Sequence, residues 1–189
     1  MPPHRFYAED QPSAFTFVQV AWVVDDLIAT AHDFARIWGA GPFHVMRSRN
    51  PDMTYRGEKV EPDVMLAVAQ MGPVQIELIE QRCDTPTIYT RELKAKGGVH
   101  HMCSFAADYD AARDHYAAND CPLISEIRMP EGNRVGYFDT LKTLGMLTEV
   151  CEENAGLRSA LKKIAETCAT WDGTDPVRIL TRDGYRLPA

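Results

Sequence analysis

The sequence predicts an α+β fold in which paired βαβββ modules form a curled mixed sheet around a cavity, with an added C-terminal helix. The first observation behind this prediction is an order of strand, helix and three strands that occurs twice along the chain. The second is that polar residues recur at matching places in the two copies, and the third is an amphipathic segment after the second copy. We therefore expect a duplicated fold with one shared cavity.

The first module is expected over residues 16–82. Its opening run FVQVAWVV has the β-branched and aromatic density of a strand, and Asp25 or Asp26 is then placed to cap a helix. Apolar residues at helical spacing predict that helix up to the Gly41-Pro42 stop, namely Leu27, Ala31, Phe34 and Trp38. Three strands should follow, near residues 43–48, 64–71 and 73–80.

The second module is expected over residues 98–153. The stretch VHHMCSF is predicted to be its first strand, and the helix runs through YDAARDHYAAN. The last three strands fall near residues 123–129, 134–139 and 145–151. The second module therefore repeats the order of the first with a shorter middle part.

Two segments lie outside the modules. Residues 1–15 are polar and contain prolines, which predicts an N-terminal extension. Residues 156–189 should form a C-terminal helix and a tail, because apolar side chains recur at helical spacing before Gly173: Leu157, Leu161, Ile164, Cys168 and Trp171. We expect this helix to pack on the outside of the sheet or against a second subunit.

Composition narrows the class of partner. The chain of 189 residues carries a net charge of -7, and this acidic balance disfavours a nucleic-acid or anionic-membrane surface. No apolar run approaches the roughly 20 residues that a membrane helix needs, and the N-terminal stretch lacks an apolar signal core. We expect a cytoplasmic protein with a small-molecule partner and with free thiols, since its five cysteines lack CxxC spacing.

An alignment of the two modules pairs their polar residues. Writing VQVAWVVDDL over HHMCSFAADY places Gln19 over His101 and Asp26 over Asp108, with equal offsets (101 - 19 = 82 and 108 - 26 = 82). Neighbouring side chains of an extended strand point to opposite faces. The alignment therefore selects His101 for the face that Gln19 shares, and we expect His100 to point away from it.

A carboxylate in an apolar strand ends each module: Glu77 in VQIELIE and Glu149 in GMLTEVCE. Such a residue is costly to bury unless its charge is compensated. If each module curls into half a barrel, the first and last strands of both modules line one cavity. Gln19, Glu77, His101 and Glu149 would then converge in it.

The four converging side chains suit one divalent metal ion. An amide oxygen, an imidazole and two carboxylates are ligands for zinc, cobalt, nickel or manganese, and the two negative charges offset those of the ion. The set contains no thiolate, which disfavours copper(I).

Several stretches resemble the vicinal oxygen chelate superfamily of glyoxalases, bleomycin resistance proteins and extradiol dioxygenases: FVQVAWVVDDL, VMLAVAQMGPVQIELIEQ, GGVHHMCSF and GYFDTLKTLGMLTEVCE. Within it they look most similar to the glyoxalase-like branch that includes methylmalonyl-CoA epimerase. The resemblance covers about residues 16–153. It implies a homodimer and a divalent ion held at Gln19, Glu77, His101 and Glu149. This ligand set is similar to that of zinc-type glyoxalase I, whereas many relatives carry His at the first position.

The resemblance also implies a reaction. In glyoxalase I and in methylmalonyl-CoA epimerase a metal-associated Glu moves a proton next to a metal-bound carbonyl. We therefore expect a metal-dependent epimerase, isomerase or glyoxalase-I-like lyase for a small acyl-CoA or keto substrate, with Glu149 and Glu77 as acid/base groups. The alternatives on the same fold are a metal-free protein that binds or sequesters a small molecule and an extradiol-type dioxygenase, against which Gln19 argues.

Other side chains are candidates for substrate contacts. An anionic group of the substrate could meet the positive charges in the middle of the first module, which are Arg47, Arg49, Arg56 and Lys59. The pocket could be lined by Tyr55, Gln70, Tyr89, Tyr137 and Asp139.

Overall fold

The computed structural model describes residues 15–49, 52–92 and 98–188. Residues 1–14 of the expected N-terminal extension lie outside these ranges. The first elements are β1 (Phe15–Val23), α1 (Leu27–Trp38), β2 (Phe43–Arg49), β3 (Met53–Tyr55), β4 (Glu58–Val60), β5 (Asp63–Met71), β6 (Val74–Gln81) and α2 (Ile88–Arg91). They are followed by β7 (Val99–Ala106), α3 (Tyr109–Ala118), β8 (Leu123–Arg128), β9 (Arg134–Phe138), α4 (Leu141–Leu144), β10 (Leu147–Glu152), α5 (Ala155–Ala169), β11 (Val177–Thr181) and β12 (Gly184–Arg186).

The twelve strands of the described residues belong to one mixed sheet with the order β12-β11-β2-β5-β6-β1-β7-β10-β9-β8-β3-β4. Near its centre β1 runs parallel to β6 and antiparallel to β7, and β7 is in turn parallel to β10. The first and last strands of each module are therefore the four neighbouring middle strands. This arrangement confirms the α+β fold of paired modules, and α5 confirms the added C-terminal helix.

One short connection requires the sheet to curl. β2 and β3 lie eight places apart in the strand order, and in a flat sheet that separation is about 38 Å at the usual strand spacing. Only three residues separate Arg49 at the end of β2 from Met53 at the start of β3, and such a link spans at most about 14 Å. The two ends of the sheet must therefore approach each other, and the middle strands face the inside of the curled sheet.

The backbone register confirms the alignment of the two modules. Gln19 pairs with Cys103 and Ala21 pairs with His101 across β1 and β7. Adding the offset of 82 to Gln19 gives His101, and adding it to Ala21 gives Cys103, so an exchange of the modules maps one pair onto the other. Ala21 and Cys103 are also the parallel partners of the two predicted carboxylates. The middle of the sheet is thus built around a pseudo-twofold axis.

Two hairpins that the sequence analysis did not predict extend the modules at their outer edges. β3 and β4 continue the sheet beyond β8, whereas β11 and β12, within the expected tail, continue it beyond β2. The first hairpin turns at Arg56 and Gly57, whose φ angles of 49° and 86° are positive, as this type of two-residue turn requires. Strands of three to five residues give a weak hydrophobic pattern, although the pair Asp183-Gly184 is a hairpin signal.

Helix α1 covers the face of β6 that is opposite to Glu77. The carboxylate of Asp26 caps the helix by accepting from the Ala29 amide at 2.9 Å. Leu27 packs in a buried cluster with Leu78, whose side chain alternates with that of Glu77 along β6. The helix therefore lies outside the curled sheet, and Glu77 faces the interior. No helix among the described residues is long and apolar enough to cross a membrane.

Arg134 joins the last strands of the second module to α3. Its guanidinium donates to both carboxylate oxygens of Glu152 at 3.0 Å and to Asp110 at 2.9 Å. It also lies over the Tyr109 ring, 4.3 Å from the ring centroid. The hydrogen bonds from Arg134 exceed the effect of burial and lower the pKa of Glu152.

We expect Arg134→Met to reduce the free energy of unfolding by about 1 kcal/mol at neutral pH. A carboxyl group whose pKa is lowered on folding contributes stability above its unfolded pKa, and this contribution is lost as the pH falls through the folded pKa. The deficit of the variant should therefore shrink below about pH 4. Urea unfolding at neutral and acid pH measures it, with the more exposed Arg128→Met as the control. An equal deficit at both pH values would contradict the ion-pair explanation.

Candidate metal centre

Three of the four predicted ligands meet at one buried point on the inner face of the sheet. Glu77 comes from β6, His101 from β7 and Glu149 from β10, and one donor atom of each lies within 4.8 Å of the others. His101 Nε2 is 3.5 Å from Glu77 Oε2 and 3.1 Å from Glu149 Oε2. The histidine side chain is fully buried, and the carboxylate side chains are only 12% and 8% exposed. One small space is thus shared by an imidazole and two acids.

The two carboxyl groups have different electrostatic surroundings. Burial raises the pKa of Glu77. Burial acts in the same direction on Glu149, but the nearer His101 ring, helped by hydrogen bonds from Tyr137 and Cys103, exceeds it and lowers the pKa of Glu149. Burial disfavours a charge on His101, yet both carboxylates together raise the pKa of His101 to about 9. Glu77 therefore takes up a proton more readily, whereas Glu149 stays ionised.

Hydrogen bonds behind His101 determine which of its nitrogens faces the carboxylates. His100 Nε2 lies 3.1 Å from the carbonyl oxygen of Ile88, and because a carbonyl only accepts, this nitrogen carries the hydrogen. Burial lowers the pKa of His100 to about 3, so its ring is neutral and its Nδ1 is an acceptor. His101 Nδ1, 2.9 Å away, must then donate to it. The other nitrogen of His101, Nε2, is left to face Glu77 and Glu149.

The environment of His101 Nε2 fits a metal ion. This nitrogen is buried and has no hydrogen bond of regular geometry, although a Glu149 oxygen lies 3.1 Å away. A nitrogen lone pair that faces two carboxylates needs a positive charge between them. A proton on Nε2 can supply that charge. A divalent ion bound by the three side chains would also supply it. The donor set suits zinc, cobalt, nickel or manganese.

The expectation that His100 points away from the site is wrong. β1 and β7 pair Ala21 with His101 and Trp22 with Val99, so His100 is the extra residue of a β-bulge. A bulge interrupts the alternation of side chains and re-aims the extra residue. His100 is consequently only 2% exposed, and its ring meets that of His101 edge to face at 5.2 Å.

We expect His100→Phe to weaken the binding of a divalent ion by about 10- to 100-fold. Phenylalanine preserves the ring volume but removes the acceptor that keeps the His101 Nδ1 hydrogen in place. Calorimetric titration with zinc measures the change. His44→Phe is the matched control, because His44 is also buried, at 8% exposure, and lies on β2, two strands away from Glu77 and outside the donor cluster. Equal affinities of the His100 variant and the wild type would contradict the proposed orientation of His101.

Gln19 lies on the inner face of β1, but its amide contacts another amide. Gln19 Nε2 donates to Gln75 Oε1 at 2.7 Å, and coordination by Gln19 stays a prediction. Gln75 was not predicted as a site residue. It shares a face of β6 with Glu77, is 4% exposed, and its Nε2 has no hydrogen-bond partner. A buried amide donor without a partner beside the acids is suited to a carbonyl oxygen of a ligand.

Two thiols adjoin the cluster on the side of Glu149. Cys103 and Cys151 follow His101 and Glu149 by two residues in their strands and therefore share the inner face. Their sulfur atoms are 3.5 Å apart, and an oxygen of Glu149 lies within 4.8 Å of both. The predicted ligand set contained no sulfur, whereas the structure places two thiols directly beside it. All five cysteines are free, as expected.

Two of the predicted lining residues, Tyr89 and Tyr137, lie at the site. The Tyr137 ring is centred 5.3 Å from that of His101, and the Tyr89 ring is centred 5.6 Å from that of His100. Their hydroxyl oxygens are 3.1 Å apart, and both side chains are buried. The two phenols therefore form one wall of the candidate metal centre.

The other predicted substrate contacts are engaged elsewhere or exposed. Arg47 forms an ion pair with Asp63, and Arg56 forms one with Glu92, which also accepts from Tyr55. Local backbone groups bind the side chains of Gln70 and Asp139. Lys59 is exposed, and the side chain of Arg49 lies outside the described residues.

Comparisons with known proteins agree with this fold. The family model of the Glyoxalase/Bleomycin resistance protein/Dioxygenase superfamily matches residues 18–137, which is more than half of the chain. No curated protein matches the sequence. The crystal structure of methylmalonyl-CoA epimerase from Mycobacterium tuberculosis aligns with a TM-score of 0.58 and 19% identity, over 79% of this chain and 95% of that chain.

Two further solved structures extend the comparison. A variant of Streptomyces coelicolor methylmalonyl-CoA epimerase, in complex with 2-nitronate-propionyl-CoA, aligns with a TM-score of 0.57 and 20% identity over 76% of this chain and 97% of that chain. A hypothetical protein from Bacillus halodurans aligns with a TM-score of 0.53 and 16% identity over 75% and 96% of the two chains. At such identities the likeness concerns the fold alone.

Proposed function

We propose, from the premise that this chain belongs to the glyoxalase, bleomycin resistance protein and dioxygenase superfamily, that it is a metal-dependent enzyme that moves a proton next to a substrate carbonyl. The observation that carries the proposal is the buried cluster formed by Glu77, His101 and Glu149. Buried carboxylates are costly unless a positive charge compensates them. A protein that only binds a small molecule has no need of such a cluster, whereas an enzyme of this kind does.

The metal ligands in this proposal are His101, Glu149 and Glu77, with Gln19 as the fourth. A divalent ion held there supplies positive charge that stabilises the negative charge developing on a carbonyl oxygen. His100 keeps His101 in the orientation in which Nε2 faces the ion. The carboxylates balance the charge of the ion and lie beside any carbonyl that reaches it.

Both carboxylates are proposed as acid/base groups, with unequal roles. Glu77 is farther from His101 than Glu149 is, at 3.5 Å against 3.1 Å, and its side chain is slightly more exposed. It is therefore the better placed of the two to exchange a proton with a substrate carbon, and Glu149 remains the more strongly ionised partner. Gln75 Nε2 would donate a hydrogen bond to the substrate oxygen, and the buried phenols of Tyr89 and Tyr137 would keep water away.

The proposed substrate is a small acyl-CoA or keto compound, and the product is an epimer, an isomer or, for a glyoxalase-I-like lyase, the hydroxy thioester that forms when a hemithioacetal rearranges. Two of the similar solved structures are methylmalonyl-CoA epimerases, and one of them holds a propionyl-CoA derivative, which favours the acyl-CoA class. A homodimer and a cytoplasmic location are further parts of the proposal.

An extradiol-type dioxygenase is the weaker enzyme alternative. Such enzymes hold iron(II) with two histidines and one carboxylate, whereas this cluster has one histidine and two carboxylates. His100 does not supply the second imidazole ligand, since one nitrogen meets the Ile88 carbonyl and the other meets His101.

The decisive experiment is solvent-deuterium exchange with and without metal. The protein, reconstituted with zinc, cobalt, nickel or manganese, is incubated in D2O with methylmalonyl-CoA, other acyl-CoA thioesters and α-keto compounds. We expect metal-dependent uptake of deuterium at the carbon next to the carbonyl, read by mass spectrometry. Exhaustively dialysed protein is the control.

The outcomes separate the candidate functions. If a substrate binds tightly but no metal form exchanges deuterium, the protein is a sequestering protein and not an enzyme. Dioxygen consumption with a catechol in the iron(II) form would instead favour the dioxygenase.

A further inference from the structure

A pair of buried thiols stands beside Glu149 without a part in the proposed reaction. The sulfur atoms of Cys103 and Cys151 are 3.5 Å apart, and the two residues are only 2% and 8% exposed. One donor atom from each of Cys103, Cys151 and Glu149 lies within 4.8 Å of the other two. The same separation describes the cluster of Glu77, His101 and Glu149, so Glu149 belongs to both groups of donors.

The strand register argues against a disulfide between these thiols. Cys103 pairs with Glu149, and Cys151 pairs with Phe105, so the two cysteines are diagonal neighbours across β7 and β10. Two residues along a strand and one strand spacing across give a Cα separation of about 8 Å. Disulfides usually need less than about 7 Å. The sulfurs therefore approach each other without backbone positions that favour a bond between them.

We propose that Cys103, Cys151 and Glu149 form a second metal position for a thiophilic divalent ion such as zinc, and that Glu149 bridges it to the ion at Glu77 and His101. On binding, each thiol releases its proton to solvent and forms one sulfur–metal bond. The two thiolates then balance the charge of the second ion, as Glu77 and Glu149 balance that of the first. Two sulfurs and one carboxylate oxygen leave a fourth tetrahedral position open, which zinc sites with sulfur and oxygen ligands accommodate.

Cobalt(II) titration of the full chain, purified under reducing conditions, tests the proposal. Bonds between cobalt and thiolates give intense near-ultraviolet charge-transfer absorption, whereas nitrogen and oxygen ligands give only weak visible bands. We expect wild type to bind two equivalents per chain, with the charge-transfer band growing with one of them. Cys103→Ala and Cys151→Ala should each bind one equivalent and lose most of the band. Cys121→Ala, a buried cysteine of the second module outside the cluster, should match wild type.

The weak visible bands of cobalt at the Glu77 and His101 position show that a variant still folds. If an alanine variant loses these bands, the corresponding serine variant is tested in its place. The absence of a charge-transfer band in wild type at saturating cobalt would overturn the proposal, as would a band that survives in both alanine variants. If freshly isolated wild type has two free thiols fewer than its five cysteines provide, Cys103 and Cys151 form a disulfide and not a metal position. The cobalt spectrum does not depend on turnover. Deuterium exchange by a protein that lacks the charge-transfer band would therefore contradict only the second metal position. A charge-transfer band in a protein that does not exchange deuterium would contradict only the proposed reaction.

Discussion

His101→Ala should abolish binding of the divalent ion at the centre of the sheet, with an affinity lower by more than about 100-fold. His101 supplies the only nitrogen among the three converging donors, and its removal leaves two buried carboxylates with no positive neighbour in their cluster. One of the two carboxyl groups is then expected to take up a proton, which removes a second ligand for the ion. Reconstitution with zinc, dialysis against metal-free buffer and then elemental analysis measure the effect.

The matched control for this change is His44→Ala, because His44 is another buried histidine, at 8% exposure, and lies on β2. It should retain the ion content of wild type even if its stability falls. An ion content in His101→Ala equal to that of wild type would show that no ion depends on His101. The roles proposed for Glu77 and Glu149 would then lose their basis.

Glu77→Gln and Glu149→Gln should each lower the rate of deuterium exchange by about 100- to 10,000-fold, the range associated with general acid/base groups. Glutamine keeps the size of the side chain but neither accepts a proton at neutral pH nor balances the charge of the ion. Because Glu149 is nearer to His101, its substitution should also reduce metal content more than that of Glu77. Exchange rates are measured at saturating metal, so that loss of the ion and loss of the proton carrier are separated.

Glu80→Gln is the control for these substitutions. Glu80 lies on the same strand as Glu77, but its carboxylate accepts from the Leu27 amide at the start of α1, a bond that a glutamine oxygen can also accept. We expect unchanged exchange in this variant. If Glu77→Gln also exchanged deuterium at the wild-type rate with full metal content, Glu77 would be only a ligand, and the proton carrier would have to be sought in Glu149.

The internal repeat is the reason that the sequence predicts most residues of the candidate metal centre. Glu77 and Glu149 end equivalent modules, and His101 occupies the place of Gln19, so a sheet with pseudo-twofold symmetry brings their strands together. The register of β1 and β7 follows this symmetry. Predicting these residues required only that both modules curl toward a common interior.

The sequence does not predict the orientation of His100, because strand alternation fails where a bulge occurs. The bulged residues are Val18 in β1 and His100 in β7. They lie at equivalent places of the two modules, because the module offset of 82 separates them (18 + 82 = 100). A valine in the first module gives no sign that the equivalent residue of the second module supports a ligand. Gln75 and the two thiols were missed for a related reason, since the alignment compared residues of matching polarity and not the surroundings of each ligand.

Both strands that pair with β1 in the sheet, β6 and β7, lie far along the chain. Gln19 bonds to Gln75, 56 residues away, and Ala21 pairs with His101, 80 residues away (101 - 21 = 80). Pairing over such distances must overcome a large loop-closure entropy before it becomes favourable, so a chain with this contact order is expected to fold slowly. During synthesis β1 also keeps an unpaired edge until β7 has been made, which exposes it to wrong strand partners. Glu77 on β6 belongs to the first module, and His101 on β7 and Glu149 on β10 belong to the second, so the candidate metal centre cannot form within either module alone.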